Sequence, residues 1–157
     1  MSRKKLMMTL PKQGTSPPET TYVDKGVLLR IKDGDTLVLQ VDLGYTVKII
    51  DNFRLVGVNT PEIKGPETPA GLWVTQQIEK WFGESVEVVV DSRDYAIDKY
   101  GRSLSVIWCE GRCLNNFLLE SKYGWPCGLD GNVTGPRNIE LLNIPEGIKQ
   151  QVRELMV

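Results

Sequence analysis

Short strand patterns separated by turn residues fill the first third of the chain, and they restrict the fold more than any other feature. Asp33-Gly34 favours a type I′ hairpin turn, which needs positive φ at both central residues. The stretch after it alternates strictly, with Leu37, Leu39 and Val41 on one face. Asp51-Asn52 interrupts a later strand as a bulge or turn. The strands predicted here are Gly26–Lys32, Asp35–Asp42 and a third strand in two parts, Thr46–Ile50 and its continuation Phe53–Val58.

The hydrophobic period then changes from two residues to that of an α-helix. Three helices are predicted, the last with Ile148, Val152 and Leu155 facing inward, and a polar loop, Ser92–Arg102, joins two further strands. These elements are helix Pro69–Phe82, strands Ser85–Asp91 and Ser103–Cys109, helix Leu114–Ser121 and helix Pro145–Leu155. The order of these elements is three strands, a helix, two strands and a helix. This order matches a mainly β, α+β fold, namely the five-stranded Greek-key barrel of the OB type with helices. A generic α+β sheet is the alternative.

The length of 157 residues suits one domain. We expect it to span 23–157, after a flexible basic tail over 1–22 that contains Arg3, Lys4 and Lys5. The longest apolar run is 106–109, far below the roughly 20 residues of a membrane span. No secretory signal pattern is present, so the expectation is a cytoplasmic protein.

Composition excludes several kinds of chemistry. The chain has no histidine, which removes Ser-His-Asp and Cys-His catalysis and histidine-ligated metals. Cys109, Cys113 and Cys127 are expected to be reduced thiols, since an odd count without histidine is a poor zinc set. Residues 1–22 carry four basic residues and one acidic residue, against 15 and 19 in the remainder. Any phosphate chemistry therefore depends on a few placed residues.

Two charged residues lie in apolar strand patterns. Asp35 shares a face with Leu37 and Leu39, and a carboxylate there needs a cation or donors. Arg54 follows Phe53 in a strand, and an interior arginine needs an anion. The alternatives are a solvated turn carboxylate for Asp35 and a structural ion pair for Arg54.

Two further groups add oxygen donors and a cation. Asn59-Thr60-Pro61-Glu62 ends a strand, and Pro61 keeps Thr60 extended so that its carbonyl points outward. With Asp35 these are hard oxygen ligands that suit calcium or magnesium. Arg102 closes the long loop after Gly101, which allows a sharp turn. The alternatives are a polar strand end and a solvated loop arginine.

Together, three motifs in order resemble the staphylococcal nuclease (thermonuclease) family. They are Asp33-Gly34-Asp35-Thr36, then Phe53-Arg54-Leu55 through Asn59-Thr60-Pro61-Glu62, then Asp98-Lys99-Tyr100-Gly101-Arg102. Order and spacing match from about Val27 to Trp125, and the resemblance supports the OB-type barrel. It implies a calcium-dependent phosphodiesterase acting on DNA and RNA that leaves 3′-phosphate ends.

The resemblance also implies roles, position by position. Asp35 and Asn59 would bind calcium by side chain, and Thr60 by its carbonyl. Arg54 and Arg102 would grip the scissile phosphate, and Glu62 would hold or deprotonate the attacking water. Lys99 and Tyr100 are expected to contact the substrate. These roles suit the chemistry, because guanidiniums strengthen their hold as charge develops on the phosphoryl oxygens.

Three features depart from the family pattern. Asn59 stands where the family has aspartate, so calcium binding should be weaker and need millimolar metal. The paired tyrosines expected beyond Trp125 are absent, and the last helix does not match; Trp125 either stacks on a base or packs in the core. The body, 23–157, is acidic, which predicts weak and salt-sensitive binding, a short or single-stranded substrate, or a compensating positive tail.

Three functions stay open at this point. The first is an active metal-dependent nuclease, a monomer that binds nucleic acid and no membrane. The second is a catalytically weak or silent OB module that binds nucleic acid or a protein partner. The third, a purely structural acidic domain, leaves Asp35 and Arg54 unexplained. Retention of Arg54, Glu62 and Arg102 favours the enzyme, whereas Asn59 favours the binding module.

Overall fold

The computed structural model describes residues 10–19, 21–92 and 97–157. Its strands are β1 (Val23–Asp33), β2 (Thr36–Asp42), β3 (Lys48–Leu55), β4 (Val58–Asn59), β5 (Glu87–Asp91), β6 (Ser103–Cys109), β7 (Arg112–Cys113) and β8 (Trp125–Pro126). Its α-helices are α1 (Thr68–Phe82), α2 (Leu114–Glu120) and α3 (Glu146–Leu155), and 3₁₀ helices cover Gly65–Glu67 and Ile139–Leu141.

Five of the strands form a closed barrel. β3, β2, β1, β5 and β6 are hydrogen-bonded in that order, each pair antiparallel, and β3 then pairs with β6 in parallel. In that closing ladder Arg54 lies opposite Leu104. The closure confirms the OB-type barrel with helices and excludes the open α+β sheet.

The hairpin between β1 and β2 is confirmed, but its turn differs from the predicted one. Gly34 and Asp35 are the central residues, and neither has positive φ, so the turn is not of type I′. The Asp35 amide instead donates to Asp33 Oδ1 at 3.1 Å, and a register shift between Ile31 and Asp33 adjusts the strand. The turn is therefore made by a hydrogen bond to the Asp33 side chain and a register shift in β1, and it needs no central residue of positive φ.

The predicted interruption at Asp51-Asn52 is wrong. β3 passes through both residues without a register shift, with Asp51 opposite Leu39 and Asn52 opposite Val38. The outer half of β3 is exposed, so polar side chains are tolerated there without breaking the ladder. The predicted strand Phe53–Val58 is instead split, because a turn at Val56-Gly57 separates β3 from β4.

The core lies between the barrel and the helices. Leu37, Leu39 and Val41 of β2 are buried against Val74 and Ile78 of α1, as the two periodicities predict. In α3, Val152 is buried and Ile148 is partly buried, but Leu155 is 55% exposed, which corrects its inward assignment. The last turn of α3 lies past the edge of the core.

Three further predictions concern the cysteines, membrane-spanning helices and the basic tail. All three cysteines are free thiols. Within the described residues, no helix combines the length and apolar character needed to cross a membrane. The basic residues Arg3, Lys4 and Lys5 of the predicted tail lie outside the described residues, as does part of the long loop.

Candidate active site

Asp35 lies in the β1–β2 turn and ties it to the residue after β4. Its carboxylate is buried, and Oδ2 accepts hydrogen bonds from the Thr60 amide at 3.0 Å and the Thr60 hydroxyl at 3.2 Å. The Thr36 hydroxyl donates to Oδ1 at 3.2 Å. Two predicted metal ligands, Asp35 and Thr60, are therefore held side by side.

Arg54 lies on β3, and its side chain is buried and firmly oriented. Nη1 donates to the carbonyls of Leu55 at 2.7 Å and Val58 at 2.6 Å, while Nη2 lies 3.5 Å from Asp35 Oδ2. The anion expected for an interior arginine is thus Asp35. Arg54 therefore forms the structural ion pair that the sequence offered as its alternative, and it also lines the cleft.

Arg102 lies at the end of a tight loop, and hydrogen bonds within that loop fix the orientation of its guanidinium. Gly101 has a φ of 80° and Asp98 Oδ1 accepts from the amides of Tyr100 and Arg102, both at 2.9 Å. Asp98 Oδ2 receives Arg102 Nε and Nη2 at 2.7 Å each, and Nη1 donates to Thr36 Oγ1 at 2.9 Å. Burial acts to raise the pKa of Asp98, but these amides and the guanidinium outweigh it and lower that pKa.

Tyr100 stands at the rim of the cleft with 72% of its surface exposed. Lys99 Nζ and the Arg102 guanidinium each lie 5.3 Å from its ring centroid. An exposed ring between two cations suits contact with a base and its phosphate.

Glu62 projects from the segment after β4, and its side chain is 61% exposed. It lines the same cleft as the two arginines, and its amide donates to Glu67 Oε1 at 2.8 Å. The Glu62 carboxylate thus faces solvent in the same cleft as Arg54 and Arg102.

Three glycines lie in close contact with the segment Asn59–Glu62. A Cβ added at Gly71 would lie 2.3 Å from the Glu62 carbonyl, one at Gly34 2.5 Å from Thr60 Oγ1, and one at Gly124 2.8 Å from the Asn59 carbonyl. Since no side chain fits at these positions, the segment can lie directly on the hairpin turn, on α1 and on the strand pair of β4 and β8.

The sequence did not single out Arg137, although it contacts several site residues. Nη1 donates to Asn59 Oδ1 at 2.7 Å and Nη2 to the Thr60 carbonyl at 3.3 Å. Its guanidinium also pairs with Glu67 and lies 4.4 Å from the ring centroid of Trp125. Trp125 is itself buried and donates to the Asn138 carbonyl, so it packs in the core and is not free to stack on a base.

One cleft of about 220 Å³ gathers the predicted residues. All of them line it except Thr60, which is buried next to Asn59. Cys127 and the backbone of 128–131 complete the wall, and burial raises the pKa of the Cys127 thiol. No local signal marked Cys127 or this loop, because the sequence there shows no hydrophobic period.

The donor set in this cleft fits a hard divalent cation. Asp35, Asn59 and Thr60 offer only oxygen atoms, the ligands that calcium prefers. Asp33 and Asp35 line the same cleft, and burial together with the adjacent Asp35 carboxylate raises the pKa of Asp33 to about 7. Within the described ranges, no cluster of three or more His, Cys, Asp or Glu side chains could hold a metal, so the set depends on amide and carbonyl oxygens.

A closed OB-type barrel with a cleft lined by two arginines and several carboxylates defines a class suited to binding phosphodiesters. A sequence model of the family described as "Staphylococcal nuclease homologue" matches residues 52–147, and the chain belongs to that family. The match includes Arg54, Glu62, Arg102 and Arg137, whereas Asp35 lies ahead of it.

Two curated relatives extend the comparison. An uncharacterized protein of Bacillus anthracis is 34% identical over 107 residues, covering 64% of this chain and 46% of its own length. A thermonuclease of Staphylococcus hyicus is 27% identical over 95 residues, covering 58% of this chain and 52% of its own. The chain therefore spans about half the length of these relatives. The family model and the thermonuclease relative together support a nuclease-like family for this chain.

Proposed function

We propose that the protein is a calcium-dependent nuclease that hydrolyses phosphodiester bonds in DNA or RNA. The observation that carries the proposal is the convergence of Arg54, Arg102 and Glu62 on one cleft. A module that only binds nucleic acid needs the two cations, but it has no use for a solvent-facing carboxylate in the same cleft. A bound divalent cation, held by Asp35, Asn59 and the Thr60 carbonyl, would supply positive charge against the phosphate.

The protein side chains divide the reaction between them. Glu62 takes a proton from the attacking water, whose oxygen forms a bond to phosphorus. The bond from phosphorus to the 5′ oxygen breaks, and that oxygen takes a proton from solvent, leaving a 3′-phosphate. Arg54 and Arg102 donate to the phosphoryl oxygens as charge builds on them. Their orientation by Asp35 and Asp98 means that little reorganisation is needed at that moment.

Substrate contacts follow from the rim of the cleft. Tyr100 offers an exposed face for a base, and Lys99 offers charge for a neighbouring phosphate. Because the body of the chain is acidic, binding should weaken strongly as salt rises.

The test is cleavage of an end-labelled single-stranded DNA with calcium, magnesium or a chelator. We expect cleavage with calcium, none with chelator, and a loss of about 100-fold or more in Glu62→Gln. Glu79→Gln, on the exposed face of α1, is the matched control and should cleave normally. Absence of cleavage at high calcium, with DNA still retained at low salt, would favour the alternative of a silent binding module, which Asn59 supports.

A further inference from the structure

Arg137 places a positive charge on the oxygens that the proposed function assigns to calcium. Its guanidinium spans Asn59 Oδ1 at 2.7 Å and the Thr60 carbonyl at 3.3 Å. These are two of the three proposed ligand atoms, and the third is the Asp35 carboxylate. A guanidinium and a divalent cation cannot both approach the same oxygens closely, because their charges repel.

The guanidinium is held in this position from its other sides. Glu67 accepts from Nη2 at 2.6 Å and from Nε at 3.2 Å, and Glu62 lies 3.9 Å from Nη2. The Trp125 ring lies against the guanidinium at 4.4 Å. Charge-assisted hydrogen bonds and a flat aromatic surface together make this a preferred position for Arg137.

Asn59 has a single side-chain oxygen, and that oxygen already accepts from Arg137. Its Nδ2 donates to the Gly131 carbonyl at 3.0 Å, so the amide orientation is fixed and Oδ1 is its one acceptor. An aspartate at this position would offer a second oxygen. The asparagine and Arg137 therefore act as a pair, one removing a negative charge and the other supplying a positive one.

We infer that Arg137 is an internal cation that competes with the metal for Asn59 and Thr60, and so sets the calcium concentration at which the site fills. The inference rests on the ligand set of the proposed function. Calcium binds only in the fraction of molecules whose Arg137 has left these oxygens, and its apparent affinity is lowered by that fraction. Occupancy of 90% by the guanidinium would weaken binding about tenfold.

The experiment is a calcium titration of the folded protein by calorimetry, with no nucleic acid present. Arg137→Met keeps an unbranched stem over Trp125 and removes the donors, so we expect affinity to rise about tenfold. Arg153→Met is the matched control, since Arg153 pairs with Glu140 and Glu146 on the surface and should leave affinity unchanged. Equal or weaker calcium binding by a folded Arg137→Met protein would overturn the inference, as would no binding at all.

A second measurement keeps the inference testable if Arg137→Met does not fold. In the wild-type protein, calcium should shift the Nε–H resonance of Arg137 while that of Arg153 stays in place. Calcium binding that leaves the Arg137 resonance unmoved would contradict competition. Failure of the proposed nuclease is separate, because it would appear as absent cleavage while both calcium results stand.

Discussion

The two sides of the cleft are built in different ways. On the phosphate side, Arg54 lies on β3 and Arg102 lies directly before β6, and both are fixed by carbonyls and carboxylates close to them along the chain or across one ladder. On the metal side, Asn59 and Thr60 are covered by Arg137, which comes from a segment more than 70 residues later. The comparison shows that one half of the site is built from local contacts of the barrel, whereas the other depends on a residue that is distant in the sequence.

The largest expected effect is on the phosphate side. Arg102→Ala should reduce cleavage by about 100-fold or more, because it removes a donor to the developing phosphoryl charge. Calcium affinity should change little, since Arg102 contacts Asp98 and Thr36 and none of the proposed ligands. Single-turnover cleavage and calcium calorimetry together measure this separation. Unchanged cleavage would remove Arg102 from the catalytic set, and equal losses in both assays would remove the distinction between the two sides.

A change on the metal side should give the converse result. Asn59→Asp adds a carboxylate with a second oxygen, and we expect calcium affinity to rise about tenfold. The single-turnover rate at saturating calcium should remain near that of the wild-type protein, because Asn59 is not proposed to touch the phosphate. Calcium titration measures the first result, and unchanged affinity would show that Asn59 is not a ligand. Asn52→Asp, on the outer half of β3, controls for added charge.

The smallest expected effect is on the stability of the protein, from a substitution at Gly71, which lies against the Asn59–Glu62 segment. Gly71 and Gly147 both lie in α-helices, where alanine normally stabilises by up to about 1 kcal/mol. At Gly71 the added Cβ would lie 2.3 Å from the Glu62 carbonyl, so we expect a net loss of about 1 kcal/mol in the free energy of unfolding. Gly147 has open space and should show the normal gain. Urea denaturation of the two variants compares them, and similar gains would mean that the contact on Glu62 is not tight.

Much of the barrel could be predicted because its signals are local. β2 lies one residue inside its predicted bounds, and α1 begins one residue before them, since alternation and the 3.6-residue period act over a few neighbours. The errors occur where exposure weakens those signals, as at Asp51-Asn52 on the outer half of β3 and at Leu155 in the last turn of α3. The turn type at Gly34 was wrong because space against Thr60, and not positive φ, requires glycine there.

The residues of the candidate site also divide into those that a local sequence signal marks and one that no such signal marks. The motifs around Asp35, Arg54 and Arg102 are short, and each residue is placed by contacts with its own strand or loop and a neighbouring one. Arg137 had no such signal, because Gly135 and Pro136 precede it in a segment without periodicity. Arg137 contacts Asn59 and Thr60 only in the folded protein, because more than 70 residues separate them in the sequence.

The parallel pairing that closes the barrel has a consequence for the order of events during synthesis and folding. Arg54 belongs to β3 and Arg102 immediately precedes β6, and the parallel ladder between these two strands closes the sheet into a barrel. An unfinished polypeptide that has left the ribosome only as far as α1 holds one arginine without the other. Since Arg102 lies directly before the strand that closes the barrel, a polypeptide that ends before Arg102 has neither the closed barrel nor the complete pair of arginines of the candidate site.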